Sequence, residues 1–231
     1  IQLELLGFVR RAFTQQAKIR VVLYEGLVAA YAMQPSLREL ILDLLGRQLR
    51  AMYVPVDEAG VGSQQETGAA TAAGPLCPLD LSACFFCGRA AEVTLAEPLP
   101  HLLRAITRCV SLIDAEEQAA APLALAGLRL VVSDIAERLG ACTLASLGLS
   151  GKQDMSQATV GAAAHLVHAQ LLEKVLEALL EWSLVCCCGD ANDGPDGASQ
   201  PVLTAATALL PQAAKALFRL QLDVSSRLGE V

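Results

Sequence analysis

The chain has 231 residues, 54% of them apolar and only 4% aromatic, with a net charge of −7. That length supports one mid-sized domain with its own core and is short for two large ones. An acidic balance is unlike an autonomous nucleic-acid-binding domain, and the dominance of Leu, Ala and Val over β-branched and aromatic alternation points to helices.

In chain order, Leu5, Phe8, Val9 and Ala12 share one face of a first helix over residues 1–13, closed by Thr14, Gln15 and Gln16. From Ala17 to Tyr31, the residues Ile19, Val22, Leu23, Gly26, Leu27 and Ala30 recur three and four apart, the stripe of a helix packed on one side. Gly26 within it is expected at a close helix crossing. Pro35 opens a third helix carrying Leu37, Leu40, Ile41, Leu44 and Leu45, which runs to about Tyr53 and stops before Pro55. Short connectors predict antiparallel neighbours, the unit of an α-solenoid. Residues 56–75 are rich in Gly and Ala with no apolar period, and are expected to be a flexible loop.

Pro75 to Phe86 is too short for a firm assignment and is expected as a short helix or extended strap, with no convincing strand anywhere in the chain. Leu99, Leu102, Leu103, Ile106, Cys109, Val110 and Ile113 form a clean amphipathic helix, and Leu125, Leu128, Val132, Ile135 and Leu139 form the next. The longest stripe runs from Val160 to Trp182, with Ser156 as its expected N-cap. Residues 189–199 read as a second flexible loop. A last helix covers about Pro201 to Leu228, with Pro211 expected to kink or divide it. The expected fold is all-α: an irregular α-solenoid of long antiparallel helices, one domain over residues 1–231.

Mean hydropathy of +0.45 raises the possibility of a membrane span. The longest apolar stretch, Ala119 to Val132, is interrupted by Pro122 and Arg129 and falls short of the roughly 20 residues a spanning helix needs. Position 1 is Ile, and no basic segment precedes an apolar one as in a secretory signal, so the chain reads as a segment of a longer polypeptide. Some of its apolar surface is then expected to look exposed for want of the neighbouring segments.

Residues 1–55 hold seven cations against four anions, so the remainder carries all the acidic excess. Within that basic end Arg10, Arg11, Lys18 and Arg20 are the candidates for contact with a phosphate backbone. Eight cysteines suggest neither disulfides nor zinc: three are consecutive, Cys186 to Cys188, and Cys84 with Cys87 lacks a second pair at zinc-site distance. His165 and His168 share a helix face but lack a third ligand, and solvated helix residues are the better reading. Glu173, Glu177 and Glu181 form an acidic ladder of the kind that solvates a helix. No nucleophile, base and acid fall into a set, so no catalytic residue and no cofactor are expected. Ser63, Ser156 and Ser199 each precede Gln, the dipeptide that DNA-damage kinases read; Ser63 and Ser199 fall in the expected loops and are candidate phosphosites.

One run goes beyond composition. Val9 to Leu27, Val-Arg-Arg-Ala-Phe-Thr-Gln-Gln-Ala-Lys-Ile-Arg-Val-Val-Leu-Tyr-Glu-Gly-Leu, closely resembles the Fanconi anaemia group I protein family. Pro35 to Pro55, Leu79 to Cys84, Glu97 to Leu99 with Cys109, and Met155 to Gly161 resemble further landmarks of that family in the same order. The segments 56–75 and Cys186 onward depart from it. The resemblance implies the second helical domain of a nuclear, non-catalytic α-solenoid that pairs with a paralogous Fanconi anaemia clamp subunit. That pair closes on double-stranded DNA in interstrand crosslink repair. It implies no membrane and no small-molecule substrate. The alternative is a HEAT or armadillo-like adaptor for another assembly.

Overall fold

A computed structural model describes residues 7, 9, 11–55, 77–88, 92–112, 123–149, 155, 159–189 and 201–229, with side chains described outside 123, 187–189 and 201–212. The expected loop at 56–75 and residues 190–199 of the second loop lie outside the described residues, as do Ser63, Ser156 and Ser199. Gly189 is the last residue of a helix rather than the first of a loop.

The described chain is mostly helical. Its helices are α1 (Ala17–Met33), α2 (Arg38–Arg50), α3 (Leu99–Ser111), α4 (Leu123–Gly140), α5 (Val160–Gly189) and α6 (Pro201–Gly229), with 3-10 turns at Pro35–Leu37 and Leu81–Cys84. Contrary to the expectation of no strands, β1 (Phe85–Cys87) pairs antiparallel with β2 (Val93–Leu95), Phe86 opposite Thr94. The β-branched Val93 and Thr94 and the two phenylalanines suit a pleated surface, but three residues are too few to show alternation in the sequence. α6 continues through Pro211 undivided.

Local signals account for the helix ends. Gln34, whose backbone is extended (φ −129°, ψ 89°), ends α1 because the following Pro35 disfavours a helical residue before it. α3 carries Pro100 in its first turn, where a missing amide proton costs nothing. Thr159 Oγ1 accepts from the Ala162 amide at 3.1 Å and caps α5, the role expected of Ser156.

Packing alternates. α1 packs on α3 and α3 on α5, while α2 packs on α4 and α4 on α6, so odd and even helices form two layers, with α5 and α6 in extensive contact across them. Between the layers lies an aliphatic core that includes Leu42, Leu45, Leu49, Leu102, Leu128 and Leu179, closed by Trp182. Burying each such leucine stabilises by about 1.5–3 kcal/mol, enough to hold the layers without aromatic bulk. Glycines bring α4 close to its neighbours: a Cβ at Gly46 would stand 3.5 Å from Leu128 Cδ1, and one at Gly140 only 3.2 Å from Ala216 Cβ.

α1 is turned differently from its sequence stripe. Its inward face is Ala17, Tyr24, Leu27 and Tyr31, whereas Ile19, Val22 and Gly26 are exposed. Two tyrosines bury more surface than the aliphatic residues they displace, and Tyr24 also finds a buried partner for its hydroxyl. Gly26 therefore marks no crossing among the described residues; no atom lies within 4 Å of a Cβ built there.

Candidate interaction surface

Glu97, in the turn before α3, is 1% exposed and gathers three donors from two helices. Arg20 Nη1 of α1 donates to its Oε2 in an ion pair. The Tyr24 hydroxyl donates to Oε1 at 2.5 Å, and Gln48 Nε2 of α2 donates to Oε2 at 2.6 Å. A buried carboxylate is tolerated only when paired and hydrogen-bonded, and these contacts meet both conditions. Burial, reinforced by the Glu97 charge, drives the Tyr24 hydroxyl far above the usual phenol range, so it stays a donor.

This junction sets Arg20 apart from the other described candidates for phosphate contact. Arg20, its side chain 16% exposed, is held by Glu97 and turned away from any external phosphate. Arg11 and Lys18 are exposed, and Arg10 lies outside the described residues. Among the described candidates, Arg20 is thus the one taken out of reach. Glu97 was not singled out as a site residue in the sequence. Its only signal was that it stands beside Pro98 and Leu99, an acid at the threshold of a strongly apolar helix.

Beside the junction, on the opposite side of α1, lies an apolar groove of about 840 Å³. It is lined by Val9 and Ala12, by Ile19 and Val22 of α1 and by Leu40 and Leu44 of α2. Ile19 is 47% and Val22 67% exposed, large values for aliphatic side chains on a helix whose other face is sealed. Lys18 is the one charged residue among the described lining and has no ion-pair partner among the described residues.

The other singled-out groups serve structure. His168 Nε2 lies 3.0 Å from the Leu147 carbonyl, which can only accept, so that nitrogen carries the proton. The Phe85 and His168 rings meet nearly perpendicular, with centroids 6.4 Å apart, so His168 is held between β1 and the turn after α4. Burial lowers its pKa, with a smaller contribution from His165. Cys84 is buried and Cys87 exposed, so the two do not share an environment, and burial pushes the Cys84 and Cys109 thiols up to about 12. Cys186 is half-buried. No group of three or more potential metal ligands occurs among the described residues.

The acidic ladder does more than solvate. Arg104 of α3 donates to Glu181 at 2.9 Å and to Glu177 at 3.2 Å, Lys174 reaches Glu177 at 2.8 Å, and Ser225 of α6 donates to Glu173 at 2.6 Å. The three carboxylates tie α5 to both of its neighbours. No described helix is long and apolar enough to cross a membrane.

A family described as FANCI helical domain 2 matches residues 1–67 and 69–198. The chain is 33% identical over 109 residues to the Fanconi anemia group I protein of Gallus gallus. It is 30% identical over 109 residues to the Fanconi anemia group I protein homolog of Mus musculus. Each of these alignments covers 47% of this chain and 7% of the relative, so the chain matches a small part of much longer proteins.

Proposed function

This chain belongs to the FANCI helical domain 2 family, and from that premise we propose that it serves as a non-catalytic scaffold domain in DNA interstrand crosslink repair. In this reading residues 1–231 are one helical unit of a nuclear α-solenoid that forms a heterodimeric clamp with a paralogous subunit on double-stranded DNA. The observation that carries it is the family match across nearly the whole of residues 1–198. The two-layer order supports it: alternate helices stacked on one another are how solenoids bury a continuous core. So does the use of titratable groups, from Glu97 to the α5 carboxylates, as joints between helices.

Cells whose chromosomal copy carries Glu97→Ala together with Arg104→Ala, disrupting both joints, should become several-fold more sensitive to an interstrand crosslinking agent. Sensitivity to ultraviolet light should stay near wild type. Unchanged crosslinker survival, with the variant protein demonstrably depleted or misfolded, would refute the repair assignment.

A further inference from the structure

α1 begins without a cap. Its N-cap residue, Gln16, makes no side-chain bond to the first turn, and no acidic residue stands there. A helix start left in that state frays unless something else holds it. Arg20 does so: its Nε donates to the Gln15 carbonyl at 2.9 Å, back across the turn, while its Nη1 is ion-paired with Glu97. Tyr24, one turn on, makes a parallel pair of contacts. Its hydroxyl donates to Glu97, and its ring lies against Phe13, the centroids 6.0 Å apart. The Phe13 amide is tied to the Val9 carbonyl at 3.1 Å, and both side chains pack on the core. Two side chains of α1 thus each reach back to the segment before the helix and across to one carboxylate. Glu97 is itself held from behind. Its amide and that of Ala96 donate to a single acceptor, the Cys84 carbonyl, at 3.1 and 2.7 Å, where the 3-10 turn meets β1. The hairpin that no periodicity announced is therefore the base on which Glu97 stands.

We propose that Glu97 is a lock on the joint between α1 and the segment before it: anchored to the hairpin through Cys84, it fixes, through Arg20 and Tyr24, the angle at which the segment ending at Phe13 meets the layered body. A carboxylate suits this task where an apolar contact does not. Its two oxygens accept from several donors in set directions, whereas apolar burial has no preferred direction. The inference goes beyond the scaffold reading and stands without it. Within that reading, the joint sets where the exposed Arg11 is presented.

The test is the distribution of distances between two spin labels in the full-length polypeptide. Non-natural residues bearing the labels replace Gly7, before the joint, and Gly161, on α5; a Cβ at either meets no atom within 4 Å. Wild type should give one narrow distribution. Glu97→Gln, which keeps an acceptor for Tyr24 but removes the charge opposite Arg20, should broaden it about twofold. Arg20→Lys keeps a charge for Glu97, but its single nitrogen cannot occupy the places of both Nε and Nη1. It should broaden the distribution as well, and it keeps the proposal open to refutation if Glu97→Gln fails to fold. Arg104→Gln, which cuts the tie from α3 to Glu177 and Glu181, should leave the width unchanged. So should every variant when the labels stand at Gly161 and Gly229. A broad wild-type distribution overturns the proposal, as does an unchanged width in folded Arg20→Lys. Equal broadening by Arg104→Gln, or between Gly161 and Gly229, overturns it too, since either means general loosening rather than a freed joint. The readout involves neither DNA nor crosslink resistance, so its failure leaves the scaffold reading untouched.

Discussion

Arg20 and Glu97, 77 residues apart in sequence, form an ion pair in which the carboxylate side chain is only 2% exposed. With Tyr24 and Gln48 on the same carboxylate, that pair fixes the rotation of α1 about its axis. The rotation in turn decides which of its two apolar stripes is sealed.

Glu97→Ala should therefore cost about 3 kcal/mol in urea unfolding, because it leaves the Tyr24 hydroxyl without its acceptor and the Arg20 charge without its carboxylate in a closed site. Replacing Arg20 and Glu97 together with Met and Gln should cost less than the two single changes added, since neither charge is then left alone. A loss below about 0.5 kcal/mol for Glu97→Ala would mean the pair behaves as a surface contact.

Stability should fall on acidification from pH 7.5 to 5.5. The folded state lowers the pKa of His168, chiefly by burial, and that of His101 by burial and by Arg104. A group depressed in the folded state contributes stability fully above its unfolded value, about 6.5, and loses it as pH drops toward the folded one. Glu177, also depressed, foremost by its hydrogen bond from Lys174, contributes in full throughout this window and loses its contribution only as pH falls through the carboxylate range, so it adds no slope here. The double variant His101→Gln with His168→Gln should flatten the urea midpoint between those pH values; an unaltered slope would exclude both histidines as its source.

Two glycines should respond oppositely to alanine. Gly148, in the turn after α4, has φ +74°, so Gly148→Ala should destabilise by about 1–2 kcal/mol. Gly26→Ala, in a helix with open space over the site, should gain about 0.5–1 kcal/mol. Thermal melts of the two variants check both signs.

Thr159→Ala should lower stability by about 1 kcal/mol through loss of the α5 cap. Thr159→Ser, which keeps an acceptor, should recover most of it. Equal losses for the two would assign the effect to packing of the methyl group instead.

For DNA, reversing Arg10 and Arg11 to Glu in the full-length polypeptide should weaken retention on duplex and make the slope of log affinity against log salt shallower by about 2, one phosphate for each cation. Arg20→Gln, already committed to Glu97, should leave that slope alone while lowering stability. Identical slopes for wild type and the Arg10, Arg11 variant would remove this end from the DNA-facing surface.

Helix positions from Ala17 to Leu139 were legible because Leu and Ile recur at helical spacing. α3 in particular needed nothing more than Leu99, Leu102, Leu103 and Ile106. What periodicity could not decide was which of two stripes on α1 turns inward. Ile19, Val22 and Gly26 make as good a stripe as Tyr24, Leu27 and Tyr31, and the choice comes from Glu97, supplied by a segment far along the chain. The hairpin of Phe85 and Val93 escaped for a different reason, since three-residue strands are held by their cross-strand bonds and by α5 rather than by any pattern of their own. Among the candidate site residues, Arg20 was legible as a cation but not as a buried one. Glu177 and Glu181 were legible as a ladder, but Arg104, which gives them their role, stands on another helix.

The strand-like bridge between Tyr53 and Leu79 brings two distant points of the chain together: Val54 donates to the Pro78 carbonyl and Asp80 to that of Met52, each at 2.9 Å. The chain therefore leaves and re-enters the layered body at one place. Whatever lies between those ends can lengthen at a closing cost that rises only with the logarithm of its length. The break in the family match, at residue 68, falls inside that interval. An affinity handle spliced between those two ends would meet the body at this one bridge, whatever its length.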